Sequence, residues 1–93
     1  MIRSFADRET ERVWRGERSR RLPFDVQRLG VRKLQMLDAA DGVEELRVPP
    51  GNRLELLKGN RAGQWSIRIN DQWRICFRWV NDHAEDVEIT DYH

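Results

Sequence analysis

The sequence predicts an α+β fold: a short N-terminal strand and two helices packed on one face of an antiparallel meander sheet. Three observations point there. Apolar residues from Val26 to Ala40 recur with helical period, the period falls to two from Leu54 onward, and turn-forming residues divide the second half at short intervals. The 93 residues hold 39% apolar side chains and four tryptophans, which excludes a disordered class. That length suits a single domain spanning 1–93, with a radius of gyration of roughly 12 Å. No apolar run approaches the ~18 residues of a membrane span, and the opening MIRSFADRE lacks an apolar signal segment. The chain therefore reads as cytoplasmic and complete. A lone Cys76 permits neither an internal disulfide nor a cysteine metal cage.

Residues 1–4 are β-compatible. Asp7 is an N-cap candidate for a highly charged helix ending near Gly16, whose strong apolar anchors are only Val13 and Trp14. So thin a stripe predicts a helix held loosely, mobile or waiting for a partner. Pro23 opens a second helix, with Asp25 in its first turn. On a helical wheel Val26, Leu29, Leu34, Met36, Leu37 and Ala40 share one half, the pattern of a core helix that Asp41-Gly42 ends. Residues 43–53 read as extended or loop, broken at Pro49-Pro50-Gly51. Leu54 to Leu57 form a short strand and 59–63 a turn. Trp65, Ile67 and Ile69 then alternate with Ser66, Arg68 and Asn70. Trp73, Ile75, Phe77 and Trp79 alternate with Arg74, Cys76, Arg78 and Val80, and Val87 and Ile89 with Glu88 and Thr90. The alternating tryptophans are core side chains rather than platforms for bases.

The net charge is only +1, but it is segregated. Residues 1–33 carry +5, 34–52 carry −3, 53–79 carry +4 and 80–93 carry −5, with histidine neutral. Fifteen of the 17 basic residues are arginine, which offers a planar fork for phosphate; codon bias is the plain alternative.

A three-residue loop at 70–72 pairs Ile69 with Trp73 and sets Arg68 opposite Arg74. Directly opposed arginines repel, so a face that tolerates them either binds an anion or lets both splay into water. A five-residue loop at 81–85 would pair Val80 with Asp86, Arg78 with Glu88 and Arg74 with Tyr92. That brings Asp91, Tyr92 and His93 beside Arg74 and Arg68, with Lys58 and Glu55 bordering. His83 falls in the loop as ordinary surface. Such a set suits RNA cleavage by internal attack: the 2′-OH loses a proton, the phosphorane charge is neutralised and the 5′-oxygen regains a proton. An aromatic ring can hold an unstacked base. No metal is demanded, and two histidines ten residues apart make no ligand cluster. Cys76 reads as a buried strand thiol rather than a nucleophile. The plain alternative for Asp91-Tyr92-His93 is a frayed polar tail.

The string from Gly51-Asn52-Arg53-Leu54-Glu55 through Leu57-Lys58-Gly59-Asn60-Arg61-Ala62-Gly63 to Trp73-Arg74-Ile75-Cys76-Phe77 resembles the HigB group of RelE/ParE-type toxins. The ending Asp91-Tyr92-His93, the opening Met1 to Phe5 and the Arg32-Lys33-Leu34 stretch fit as well, so the resemblance covers nearly the whole chain. It implies the RelE-like microbial RNase fold and a toxin of a type II toxin–antitoxin pair, a ribosome-dependent endoribonuclease that cuts mRNA in the 30S A site without a cofactor. The implied partners are a helix-turn-helix antitoxin of the HigA type and, only through the antitoxin complex, operator DNA; no membrane is involved. By motif, Arg74 and Lys58 would face the scissile phosphate, while Asp91, Tyr92 and His93 position the base and move protons. The strand pattern adds Arg68, Arg53, Arg61 and Arg78 as RNA-binding residues. Some members carry a histidine where this chain has Glu55, which leaves Glu55 as an acid/base group or a structural one. The other readings are a non-catalytic relative that inhibits a protein target such as gyrase, and a simple RNA-binding module.

Overall fold

The structure, a computed structural model, describes residues 1–91. Asp7 caps helix α1 (Arg8–Trp14), its carboxylate accepting from Thr10 N at 2.6 Å. This helix is not held loosely: Thr10 and Val13 are buried, and Thr10 Oγ1 accepts from the backbone N of Ile89 at 2.9 Å. The apolar stripe underestimates the packing because a buried threonine serves as an anchor. Helix α2 (Phe24–Ala39) starts after Pro23 and buries Val26, Gly30, Leu34 and Leu37. Met36, expected on the buried half, lies at its edge and is 37% exposed. Two 3-10 turns, Val43–Arg47 and Pro50–Asn52, occupy the stretch expected to be extended or loop.

Four strands follow: β1 (Glu55–Leu56), β2 (Trp65–Arg68), β3 (Arg74–Val80) and β4 (His83–Thr90). They form an antiparallel meander in the order β1-β2-β3-β4. Beyond β4, the N-terminal segment runs parallel to it through isolated bridges Ile2–Ala84 and Phe5–Val87. Val26, Leu34 and Leu37 pack against Ile67, Ile75, Phe77, Val87 and Ile89 in one core cluster, so the helices cover the face the alternation assigned to them. Gly30 permits the close approach: a Cβ there would meet Ile89 Cδ1 at 3.3 Å.

The first hairpin holds the expected register, with Arg68 opposite Arg74. Asn70 Oδ1 closes its loop by accepting from Gln72 N at 2.9 Å and Trp73 N at 2.8 Å. The last hairpin differs from expectation. Val80 pairs with His83, which leaves the two-residue loop Asn81-Asp82, both at positive φ as a type I′ turn requires. A bulge at Asp86, φ 52°, then shifts the pairing by one residue. Arg78 therefore faces Glu85 rather than Glu88, Arg74 faces Thr90 rather than Tyr92, and Glu88 faces Cys76. His83 is the first residue of β4, half-buried, with Nδ1 enclosed and without a hydrogen-bond partner among the described residues.

Candidate active site on the sheet face opposite the helices

Strand pairing alone builds the centre of this face. Glu55 opposes Ser66, Ser66 opposes Cys76 and Cys76 opposes Glu88, so four side chains form one cross-strand row. Arg68, Arg74 and Thr90 form the next row. Ser66 and Cys76 are fully buried beneath the longer side chains around them. Burial, foremost, pushes the Cys76 thiol above its ordinary range, while Arg61 and Arg74 on one side and Glu88 and Glu55 on the other act as opposing charges. A nucleophile needs the thiolate, so Cys76 is a structural thiol, as its place in the alternation predicted.

Arg74 is the most constrained charged group here. Its Nε donates to Ser66 Oγ at 2.8 Å and its Nη2 to the carbonyl of Arg53 at 2.8 Å. Glu55 Oε1 stands 4.0 Å from Nη2, and only 17% of the Arg74 side chain is exposed. The carbonyl is available because Arg53 sits in a left-handed conformation, φ 46°, after the Pro50–Asn52 turn. Ser66 carries no sequence signal beyond its place in the alternation, yet it fixes the guanidinium plane.

Around Arg74 the predicted residues divide. Arg68 lies directly across and pairs with Asp71, whose side chain is fully exposed; such a pair exchanges readily for a better anion. Arg61, from the Gly59–Arg61 turn, donates to Gln64 Oε1 at 3.0 Å and to Glu88 Oε1 at 3.2 Å, closing over the row. Lys58, the N-cap of that turn, is exposed, and its amino group has no ion-pair or hydrogen-bond partner among the described residues. Arg78 is four residues along β3 from Arg74, about 13 Å away at strand spacing, and pairs with Asp86 at 3.4 Å. Asp91 directly follows β4 and accepts from Gln72 Nε2 at 2.8 Å. Tyr92 and His93 lie outside the described residues.

A further cation is present that the alternation could not reveal, because it comes from the helical layer. Lys33 of α2 donates to Oδ1 of the fully buried Asn52. Burial and then the charge of Arg68 hold its amino group below the usual lysine range. Among the described residues, no three His, Cys, Asp or Glu side chains converge as a metal site would require.

A conserved-family sequence model, that of RelE-like HigB toxins of type II toxin–antitoxin systems, matches residues 3–93. The chain belongs to that family. Among HigB-like relatives, Toxin HigB-1 of Vibrio cholerae serotype O1 is 43% identical over 85 residues, 90% of either chain. Endoribonuclease HigB of Proteus vulgaris is 41% identical over 69 residues, 74% of this chain and 73% of that one. The fold also resembles a chain of the YoeB–YefM complex from Staphylococcus aureus, with a TM-score of 0.62 at 16% identity over 100% of this chain and 98% of that one. The resemblance to HigB toxins read from the Lys58–Gly63 and Trp73-Arg74 strings is thus borne out, as is the α+β arrangement of helices on an antiparallel sheet. No helix among the described residues is long and apolar enough to cross a membrane.

Proposed function

We propose that this HigB-like toxin is an endoribonuclease that cuts mRNA on the ribosome, in the cytoplasm, without a metal ion. The observation that carries the reading is the Arg74 guanidinium, fixed by Ser66 and the Arg53 carbonyl on a sheet face where Arg68 stands directly opposite. Preorganised donors aimed at a developing negative charge are the largest single contribution a protein makes to such a reaction. The family membership and the relative named as an endoribonuclease support the same reaction class.

In this reading the 2′-oxygen of the substrate attacks the adjacent phosphorus. Arg74 and Lys58 neutralise the phosphorane, Arg74 from a fixed position and Lys58 from an exposed one. His93 and Glu55 are the groups for the two proton transfers, one removing the 2′-proton and the other returning a proton to the 5′-oxygen. Tyr92 stacks on the displaced base, and Asp91, held by Gln72, orients the end of β4. Arg53, Arg61, Arg68 and Arg78 bind backbone phosphates. In this reading the ribosome holds the mRNA against the Arg74 face. An antitoxin with a helix-turn-helix neutralises the toxin, and the pair reaches operator DNA through the antitoxin.

The test is to induce the wild-type chain and a His93→Gln variant and map the 5′ ends of translated mRNA. New in-frame cuts with the wild type, lost in the variant, are expected. Growth arrest without new ends would instead transfer the reading to a protein target.

A further inference from the structure

Strand β1 pairs with β2 only at Trp65 and Ser66, so among the described residues the outer edge of β2 beyond Ser66 has no strand beside it. The Pro50–Asn52 turn packs against β2 instead, and it positions charges in two directions. The Arg53 carbonyl just after it anchors Arg74 on the sheet face. The Asn52 side chain, fully buried, anchors Lys33 of α2: Nδ2 donates to the Leu46 carbonyl at 3.1 Å, and Oδ1 accepts from Lys33 Nζ. An amide whose donor side is already held by the backbone cannot swing away, so the ammonium is fixed rather than trailing in water.

What surrounds Lys33 is unusual for a half-buried lysine. Its hydrogen-bond partner is neutral, and the charged neighbour that acts on it is Arg68, of like sign. No carboxylate pairs with it among the described residues. Arg68 in turn opposes Arg74 directly, with Cα atoms about 4.5–5.5 Å apart in such a pair. Its counter-charge, Asp71, is fully exposed and provides weak compensation. Arg68 and Arg74 thus stand side by side, with Arg68 acting on Lys33. The carboxylates that balance the two arginines, Asp71 on Arg68 and Glu55 4.0 Å from Arg74, are both exposed, while Lys33 has none among the described residues. Like charges held close with only exposed counter-charges raise the energy of the empty protein, and an arriving anion lowers it.

We propose that Lys33, together with Arg68 and Arg53, forms a second phosphate subsite, which takes the RNA backbone phosphate next to the one held at Arg74. The subsite rests on the ribonuclease reading of the Arg74 face. It makes Lys33 a substrate-binding residue contributed by the helical layer and held at the edge of β2 by the Pro50–Asn52 turn.

Lys33→Gln keeps an N–H donor for Asn52 and removes the charge; Lys33→Arg keeps the charge. The binding of a single-stranded RNA of about ten nucleotides, fully 2′-O-methylated so that it cannot be cut, would be followed against salt for these variants and for Arg74→Ala. Each phosphate contact on a single strand contributes a slope of about 0.7 in log affinity against log salt. Lys33→Gln is expected to lower the slope by about that amount and to weaken binding, with Lys33→Arg near the wild type. An unchanged slope in Lys33→Gln, with Arg74→Ala lowered, overturns the subsite and leaves the ribonuclease reading standing. Absence of salt-dependent binding by the wild type overturns the subsite, while the ribonuclease reading stands or falls with the mapped 5′ ends of translated mRNA. A second measurement needs no variant: the bound RNA analogue should slow reductive methylation of Lys33 in the wild-type chain, and an unchanged rate overturns the subsite.

Discussion

At Arg74, three separate parts of the chain meet one guanidinium: Ser66 from β2, the Arg53 carbonyl from the preceding turn and Glu55 from β1. Because Nε and one Nη2 hydrogen are occupied, the group presents its remaining edge in a fixed direction, which a lysine could not reproduce. Arg74→Ala is expected to reduce mRNA cleavage by about 10²–10³-fold, the usual cost of removing one transition-state donor, and Arg74→Lys to recover little of it. Ser66→Ala should cost less, on the order of tenfold, equivalent to about 1.4 kcal/mol, through misorientation of the same group. Equal activity of Ser66→Ala and the wild type, compared at matched protein levels, would remove Ser66 from the positioning role. Cys76 makes a separate prediction through pH. Its thiol is pushed up in the folded chain, so between the ordinary thiol range and the raised value the unfolded chain releases a proton that the folded chain keeps. Stability is thus complete below that window and falls as pH rises through it. Urea unfolding above pH ~9 should show this loss, and Cys76→Ala should flatten it. An alkaline slope identical in both would show that another group is responsible.

At the scale of elements, helix α1 is where packing and sequence pattern part company. Its two apolar anchors suggested a loosely held segment, but Thr10 is buried and caps the backbone N of Ile89 in β4. Thr10→Val has nearly the same shape and leaves that N–H enclosed without a partner, a loss of about 1–3 kcal/mol. Urea unfolding measures it; a change below about 0.5 kcal/mol, the range of ordinary surface substitutions, would contradict the contact. Amide exchange in α1 should accordingly be slowed to a level near that of α2. The two hairpins show what the sequence could and could not convey. The first was legible because the apolar alternation of Trp65, Ile67 and Ile69 meets that of Trp73, Ile75 and Phe77 in only one register, and the Asn70 loop fits it. The second was not, because a favourable Arg78–Glu88 pairing suggested a long loop, whereas Asn81 and Asp82 both adopt positive φ and make a two-residue turn. The bulge at Asp86 then restores the inward direction of Val87 and Ile89, so the apolar pattern alone looks the same for either register. Glu88, freed from Arg78, takes Arg61 as its partner instead. Lys33 was illegible for another reason: period-two reasoning sees only strands, and its anchor Asn52 sits in a turn that reads as loop.

At the scale of the whole molecule, the N-terminal segment and the site are linked through β4. Four backbone hydrogen bonds join residues 1–6 to Ala84 and Val87, from Met1 O, Arg3 N, Ser4 O and Ala6 N, at 2.8–3.1 Å. Ser4 Oγ accepts from Asp86 N at 2.9 Å, so the same segment holds the bulged residue in its left-handed conformation. Ile2 N donates to Asp38 Oδ1 of α2 at 2.8 Å, and Ile2 and Phe5 pack against the core. The bulge sets the register that puts Glu88 opposite Cys76, Thr90 opposite Arg74 and Asp91 within reach of Gln72. The N-terminal segment thereby positions Glu88, Thr90 and Asp91. Deleting residues 1–5 should remove all of these hydrogen bonds except that of Ala6 N, at about 1 kcal/mol each, and the burial of two apolar side chains, a total of at least ~3–5 kcal/mol. That is a large part of the 5–15 kcal/mol typical of a small domain. It would also bare the outer edge of β4 to pairing with other chains. Reduced urea midpoint, concentration-dependent aggregation and impaired cleavage are expected together. Ser4→Ala should weaken the bulge alone, lowering cleavage more than stability, because it disturbs the β4 register while leaving the core contacts of Ile2 and Phe5 in place. A truncated chain with an unchanged midpoint and full cleavage would show that β4 keeps its register without the N-terminal segment.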